Sequence, residues 1–110
     1  SAAHLNLKFP VFPGVNEVEP SQFDGIEYTV KFKSEKLAMA GTKKIMNFYT
    51  GKKISRHKIK KFTKVGKPDT VAWMAQDCAG DTGATVTVSV YESEVFVRAL
   101  ASCTDAGILF

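Results

Sequence analysis

Residues 84–91 hold the strongest structural signal in the chain, because apolar and hydroxyl-bearing residues alternate there without a break. Every second residue is a valine, at Val86, Val88 and Val90. The residues between and after them carry hydroxyl groups: Thr85, Thr87, Ser89 and Tyr91. A period of two is typical of a β-strand with one buried face. The chain must therefore build a sheet and cover one face of it.

Weaker alternation and turn residues predict further strands along the chain. Residues 26–34 alternate in the same way, and Thr50-Gly51 is a hairpin signal. Pro13 and Gly14 separate two short segments that we predict to form an N-terminal hairpin. The full set of predicted strands is residues 5–9, 15–18, 26–34, 44–49, 52–64, 70–75 and 84–91.

The pattern changes after Ser93, which is a plausible helix N-cap. Five residues beyond it share one face at helical spacing: Val95, Phe96, Ala99, Leu100 and Cys103. We therefore predict a helix over residues 94–103. The predicted fold class is α+β: an N-terminal hairpin and an antiparallel sheet of about five further strands, followed by a C-terminal helix, all in a single domain over residues 1–110.

A helix of about ten residues covers little of such a sheet. We expect a second copy of the chain to cover the rest, so the domain is predicted to be dimeric. The partner's sheet would pack against the apolar helix face, chiefly Val95, Phe96, Ala99 and Leu100. No stretch approaches the roughly 18 apolar residues of a membrane-spanning helix.

Charge is divided unevenly along the sequence. Thirteen of the fifteen lysines and arginines lie between Lys31 and Lys67, where Glu35 is the single acid. That segment carries a net charge of +12, while the other residues carry −8. Such a basic segment favours a polyanion, with nucleic acid first, although a solvated lysine-rich surface is the alternative.

Motifs of enzymes, cofactor sites and metal sites are absent from the sequence, so we predict a protein that is not an enzyme and has no cofactor or metal. His57, among basic residues, would suit a ribonuclease acid. The base would have to be Glu27 or Glu94, which no spacing recommends. An exposed histidine on a basic strand is the simpler interpretation.

Cations and hydroxyl groups are expected to share one sheet face. Lysines contact phosphates without reading sequence, whereas hydroxyls and a tyrosine ring can contact unpaired bases. The predicted RNA-binding residues are Lys31, Lys33, Arg56, Lys58, Lys60, Lys64, Thr85, Thr87, Ser89 and Tyr91. Ordinary solvent-facing strand residues would show the same hydroxyl pattern.

The segment from Val86 to Tyr91, followed by Glu94-Val95-Phe96-Val97-Arg98-Ala99-Leu100, resembles the last strand and first helix of the coat proteins of small single-stranded RNA bacteriophages (leviviruses). This resemblance implies a homodimer that assembles into an icosahedral virion shell in the bacterial cytoplasm and binds genomic RNA, in some cases a hairpin, on its inner face. It also implies a loop at the shell's symmetry axes, made by Asp77, Cys78, Gly80, Asp81 and Gly83. The family's second C-terminal helix has no counterpart here.

The two cysteines leave a second function open. In a coat protein, Cys78 would be exposed near a symmetry axis and Cys103 would be a buried free thiol. The alternative is a secreted monomeric toxin or effector, in some forms ribonuclease-like, in which Cys78 and Cys103 form a disulfide. A cellular module that binds single-stranded RNA or DNA is a third class.

Overall fold

The computed structural model describes residues 9–21, 24–66 and 70–103. Within these residues the chain forms eight strands and one helix. The strands are β1 (Glu19–Ser21), β2 (Gly25–Lys31), β3 (Lys53–Ile54), β4 (His57–Lys58), β5 (Thr63–Val65), β6 (Val71–Ala79), β7 (Thr82–Tyr91) and β8 (Glu94–Leu100). The helix is α1 (Glu35–Tyr49), which lies between β2 and β3.

Six of the strands form one antiparallel sheet in the order β1-β2-β8-β7-β6-β5. The long strands β7 and β8 occupy its centre, so the alternation seen at residues 84–91 belongs to an interior strand. β3 and β4 pair only with each other, as a separate two-stranded sheet.

Helix α1 covers one face of the sheet and encloses the core. Ser34 caps it, its hydroxyl accepting a hydrogen bond from the Leu37 amide at 3.2 Å. The buried residues of α1 recur every three or four positions: Ala38, Gly41, Thr42, Ile45 and Tyr49. They pack against alternate residues of the sheet: Ile26, Tyr28, Ala75, Val86, Val88, Val95, Val97 and Ala99. The apolar face that we expected a second copy to cover is therefore covered by the chain's own helix.

The prediction of a C-terminal helix is wrong, and with it the predicted order of elements. Residues 94–100 are β8, paired on both sides, with β2 and with β7. The two-residue turn Glu92-Ser93 joins β7 to β8, and Glu92 has a φ of 55°. Val95, Val97 and Ala99 are buried while Phe96 is exposed, which is a period of two. A short apolar run fits both periods, and pairing with β7 decides between them.

Residues 44–49, predicted as a strand, form the last turns of α1. The lysines at 43 and 44 concealed the helical spacing of the apolar residues around them. Residues 52–64, predicted as one strand, form β3, β4 and part of β5, because the chain turns back at Ser55 and Arg56. Residues 15–18 are not a strand, and the first hairpin is β1–β2 instead; the predicted strand at 5–9 lies outside the described residues except for Phe9. The strands predicted at 70–75 and 84–91 are confirmed in β6 and β7, and the strand predicted at 26–34 is confirmed in β2 as far as Lys31, since Ser34 already caps α1.

A pair of tyrosines links the helix to the sheet. The hydroxyls of Tyr28 and Tyr49 are hydrogen-bonded to each other, and Tyr49 also donates to the Pro10 carbonyl at 2.9 Å. The Phe12 amide donates to the Tyr28 hydroxyl at 3.2 Å. Both rings are buried, and burial raises the pKa of both phenols above the usual value near 10. The ionised Tyr28 would raise the pKa of Tyr49 further.

This tyrosine pair predicts a loss of stability in alkali. The folded chain holds the phenol protons more tightly than the unfolded chain, so their contribution is complete below pH of about 10 and declines above it. Tyr49→Phe should lower the free energy of unfolding by about 1–2 kcal/mol at neutral pH, because it leaves the Pro10 carbonyl without this donor. The same variant should show a shallower decline between pH 9 and 11, measured by urea unfolding. An identical decline in both proteins would contradict this role for the pair.

Candidate nucleic-acid interface

The β3–β4 hairpin presents three cations in a small area. Lys53 and Lys58 are opposite each other across the two strands, and Arg56 lies in the turn that joins them. All three side chains are exposed. Within the described ranges none of the three has an ion-pair partner. We call Lys53, Arg56 and Lys58 the basic hairpin.

Buried side chains and hydrogen bonds attach the basic hairpin to the rest of the domain. Ile54 and Ile59 are fully buried in the core. The amide of Gly51 donates to the Ile59 carbonyl at 2.7 Å, and the amide of Ile59 donates to the Lys52 carbonyl at 2.8 Å. At the start of β4, Nδ1 of His57 lies 3.1 Å from Oδ2 of Asp77 on β6. These contacts hold the cations on a rigid base, which suits them to bind a ligand without first becoming ordered.

Two features of this hairpin lower its own stability. Lys53 and Lys58 place like charges directly opposite each other, which is unfavourable in a strand pair. Ser55 and Arg56 have φ of 51° and 74°, a left-handed conformation that hairpin turns normally fill with Asn or Gly. Features that destabilise a local structure tend to occur at functional sites. The hairpin is therefore the strongest candidate site within the basic segment.

Other exposed cations lie on α1, on β5 and on the segment before β5. Lys52 lies over the Phe48 ring, its Nζ 4.3 Å from the ring centre. The exposed cations of this region, which we call the basic surface, are Lys36, Lys43, Lys44, Lys53, Arg56, Lys58, Lys60, Lys61 and Lys64. Glu35, in the first turn of α1, is the one acid between residues 31 and 66. The basic surface lies on α1, on the two-stranded sheet and on β5 with the segment before it.

The structure separates the predicted RNA-binding residues into groups. Arg56, Lys58, Lys60 and Lys64 belong to the basic surface. Lys31 and Tyr91 lie at the β7–β8 end of the sheet, where Nζ of Lys31 is 4.0 Å from Oε1 of Glu94. Lys33 directly precedes Ser34, the N-cap of α1. The basic hairpin lies at the other end of the sheet, where His57 contacts Asp77 near the β6–β7 turn.

The predicted hydroxyl face is not an exposed surface. Thr85 and Thr87 are buried, at 0% and 3% exposure, and Ser89 is half-buried. The Thr85 hydroxyl donates to the Ser102 carbonyl at 2.6 Å and accepts a hydrogen bond from the Gln76 amide at 3.1 Å. The expectation that these threonines face solvent is wrong, and at Thr85 the reason is the chain after β8, whose Ser102 carbonyl lies against it.

The four residues assigned to a dimer interface lie on β8 rather than on a helix face. Val95 and Ala99 are buried beneath α1, while Leu100 is buried on the opposite side of the strand. Phe96 is 39% exposed. Alternation along a strand therefore separates residues that a helix would have brought together.

The segment assigned to a symmetry-axis loop is the tight β6–β7 hairpin. Asp77 and Cys78 are in β6, Gly80 and Asp81 form the turn, and Gly83 is in β7. Cys78 and Cys103 form a disulfide with a Cα–Cα distance of 5.8 Å. The free thiol predicted at Cys103 is therefore wrong, and the pairing is the one that the alternative predicted. Gly83, opposite Cys78, leaves room for the sulfur of Cys103, which a Cβ there would overlap.

Sequence reasoning did not single out Lys36, Lys43, Lys44, Lys53 and Lys61, nor the contact of His57 with Asp77. The charge count included the five lysines, but their placement depends on α1 and on the turn at Ser55-Arg56. Ser34 followed by apolar residues at helical spacing could have revealed α1. The turn has no glycine or asparagine, so no sequence signal marks it.

Relief of the strained turn should stabilise the protein. Arg56→Gly should raise the free energy of unfolding by about 0.5–1 kcal/mol, because glycine adopts positive φ without steric conflict while its greater freedom when unfolded offsets part of the gain. Arg56→Ala removes the same charge but retains the steric conflict, so it is the matched control and should leave stability nearly unchanged. The midpoint of urea unfolding reports both effects. Equal stabilisation by the two variants would show that charge, not backbone conformation, is responsible.

Comparison of the chain with protein families, with curated proteins and with solved structures finds no match in any of the three. Among the described residues, no helix has the length and apolar character that a membrane crossing requires. The same part of the chain contains no group of three or more His, Cys, Asp or Glu side chains placed to hold a metal ion.

Proposed function

We propose that this protein is a disulfide-bonded domain that binds single-stranded RNA on its basic surface. The observation that supports the proposal most is the basic hairpin, where three exposed cations without ion-pair partners among the described residues lie on a locally destabilised pair of strands and the turn between them. Lysine and arginine contacts to phosphates release counterions and bind any sequence. Arg56 adds a planar guanidinium at the tip that can stack on an unpaired base.

The helix favours a nucleic acid over a membrane surface as the polyanion. Leu37 and Met39 are exposed apolar residues of α1, at 49% and 42%. They lie two positions apart, and lysines share their sides of the helix: Lys44 is seven residues from Leu37, and Lys43 is four from Met39. A helix that lies in a membrane interface instead separates an apolar face from a charged one. The mixture in α1 is better suited to a charged polymer in water.

The proposal retains RNA binding and does not depend on a shell. The strand and helix on which the resemblance to coat proteins was based are the two central strands β7 and β8. Assembly into a capsid stays an untested prediction. The Cys78–Cys103 disulfide supports placing the domain in an oxidising compartment, because such bonds persist outside the reducing cytosol. Export is therefore part of the proposal.

A salt titration tests the proposal. Binding of a fluorescein-labelled RNA of about 12 nucleotides is followed by anisotropy at several salt concentrations. If about half of the nine cations of the basic surface contact phosphates, the log–log slope should be near −3, at about −0.7 for each contact. A slope shallower than about −1, or tighter binding to vesicles of anionic lipid than to the RNA, would contradict the proposal. Electrophoresis of the recovered RNA shows whether it is intact, as binding predicts, or cleaved, as a ribonuclease predicts.

A further inference from the structure

A groove of about 760 Å³ follows the edge of β2 beyond the end of β1. β1 pairs with only three residues of β2, from Gly25 to Glu27, while β2 continues to Lys31. The groove is lined by residues 27–31 of β2, by residues 13–17, and by Thr87, Ser89, Phe96, Val97 and Arg98 of the two central strands. It therefore lies over the open face of the sheet, opposite α1, and reaches the edge of β2. We call the part of the groove between β2 and residues 13–17 the slot.

The backbone groups of Thr29 and Lys31 point into this slot. Phe32 donates to the Ser93 carbonyl at 2.8 Å and Ala101 to the Asp24 carbonyl at 3.0 Å, in the register that pairs β2 with β8. Even-numbered residues of β2 therefore bond to β8, and odd-numbered residues face away from it. Within the described part of the chain, no backbone bond joins residues 13–17 to Thr29 or Lys31.

The chain could have filled the slot itself, but it turns away. The register Glu19↔Glu27 would place Glu17 opposite Thr29 and Val15 opposite Lys31 if β1 continued. Instead β1 begins only at Glu19, residues 15–18 are not a strand, and the backbone turns at Gly14 with φ of 88°. An open edge of this kind is a template for another strand.

The slot has an acidic end, and its floor holds the exposed Phe96 ring beside the polar side chains of Thr87, Ser89 and Arg98. Arg98 is engaged with Glu27 at 3.3 Å, whereas Glu17 and Glu19 have no ion-pair partner in the described ranges. On the open face, Thr29 lies beside Phe96, whose ring is 39% exposed. A strand added to β2 would place alternate side chains on this face, near Phe96, and the acidic end would attract cations.

We propose that the edge of β2 binds an extended peptide of a partner protein, in which basic residues alternate with apolar ones. The peptide adds an antiparallel strand beside Thr29 and Lys31. Main-chain hydrogen bonds supply affinity, and Glu17, Glu19 and Phe96 select the side chains. This surface is separate from the basic surface and serves a different class of ligand.

The probe is the peptide acetyl-Lys-Val-Lys-Val-Lys-amide, titrated into the intact, disulfide-bonded protein and followed by amide NMR. The largest shifts and the greatest protection from exchange are expected at the amides of Thr29 and Lys31. In a strand added to β2, alternate backbone amides of the peptide point toward β2 and the others point away from it. N-methylation of the amides that point toward β2 should abolish binding, while N-methylation of the other amides should change the affinity by no more than about twofold. Equal effects of the two methylated peptides, or no binding of the parent at about millimolar concentration, would overturn the proposal.

Charge variants provide a second readout that does not depend on the peptide's backbone. Glu17→Gln with Glu19→Gln should weaken binding about tenfold. Glu92→Gln, which removes one exposed acid at the β7–β8 turn, is the control for loss of an acid outside the slot and should leave the affinity for the peptide unchanged. Affinity unchanged in the double variant would overturn the assignment of the acidic end. Concentration-dependent dimers in sedimentation without peptide, with the Thr29 and Lys31 amides already protected, would show a second copy on this edge and overturn it as well.

Discussion

Replacing both Cys78 and Cys103 by serine is expected to lower the free energy of unfolding by about 3.5 kcal/mol. The bond closes a loop whose ends are 25 residues apart. In the chain-entropy account, closing a loop of this length lowers the conformational entropy of the unfolded chain, which raises the free energy of unfolding by about 3.5 kcal/mol. A domain of this size is stable by about 5–15 kcal/mol in total, so much of its margin would be lost. Urea unfolding of the parent and the double variant measures the difference.

The loss should arise from the covalent bond and not from the serines. The parent treated with dithiothreitol should unfold at the same urea concentration as the double variant, and the reductant should leave the variant unchanged. Intact-mass measurement of the untreated parent should show no alkylation by iodoacetamide under denaturing conditions. A parent that alkylates at both cysteines, or a loss below about 1 kcal/mol, would contradict a stabilising disulfide.

The strands could be predicted from sequence where one face is apolar and the other polar, so that the two kinds of residue alternate. β7 is buried along most of its length, and its valines all face α1, so the sequence shows the period directly. β8 shows the limit of this approach. Val95, Phe96, Ala99 and Leu100 satisfy helical spacing, and only the turn at Glu92-Ser93, which directs the chain back along β7, selects the strand. That selection is a long-range effect, which local patterns do not contain.

The prediction that a second copy covers the sheet depended on where the helix lies in the sequence. Once residues 35–49 are a helix, Ile45 and Tyr49 cover the apolar face, and no uncovered apolar face remains there to imply a partner. The strand prediction at 44–49 failed because the exposed lysines of a helix and of a strand look alike in sequence. Glycine in mid-helix was a further obstacle. Gly41 is needed because a Cβ there would overlap the Phe32 ring, a contact known only from the fold.

The sequence predicts that the candidate site is basic, but it does not predict where in the fold the basic residues lie. The concentration of cations between Lys31 and Lys67 is visible in the sequence. The distribution of those cations along α1 and over the β3–β4 hairpin follows from the helix and from the turn at Ser55-Arg56. The burial of Thr85 follows from the chain after β8, which reaches it through the Ser102 carbonyl. Such contacts join distant residues, so no spacing along the chain predicts them.

The basic hairpin should account for a large part of RNA affinity if the proposed function is correct. The triple variant Lys53→Gln, Arg56→Gln, Lys58→Gln removes three phosphate contacts, each worth about 0.7 in the log–log salt slope on a single strand. The slope should fall by about two units, and affinity at 0.1 M salt should fall about a hundredfold. Removing the opposed charges of Lys53 and Lys58 should also raise stability slightly, by up to about 1 kcal/mol. Binding would then be lost from a protein that is folded at least as well as the parent.

The matched control changes the same charge at another part of the basic surface. Lys36→Gln, Lys43→Gln, Lys44→Gln removes three exposed lysines from α1 without affecting the strained turn. If the hairpin holds the RNA, this helix variant should lose less than about tenfold in affinity under the same conditions, because cations distant from the bound strand act only through the screened field of the domain. Equal losses in the two triple variants would show that net charge alone governs binding and would remove the hairpin's special role. Since both variants carry the same net charge, the difference between their salt slopes counts the contacts made by the hairpin itself.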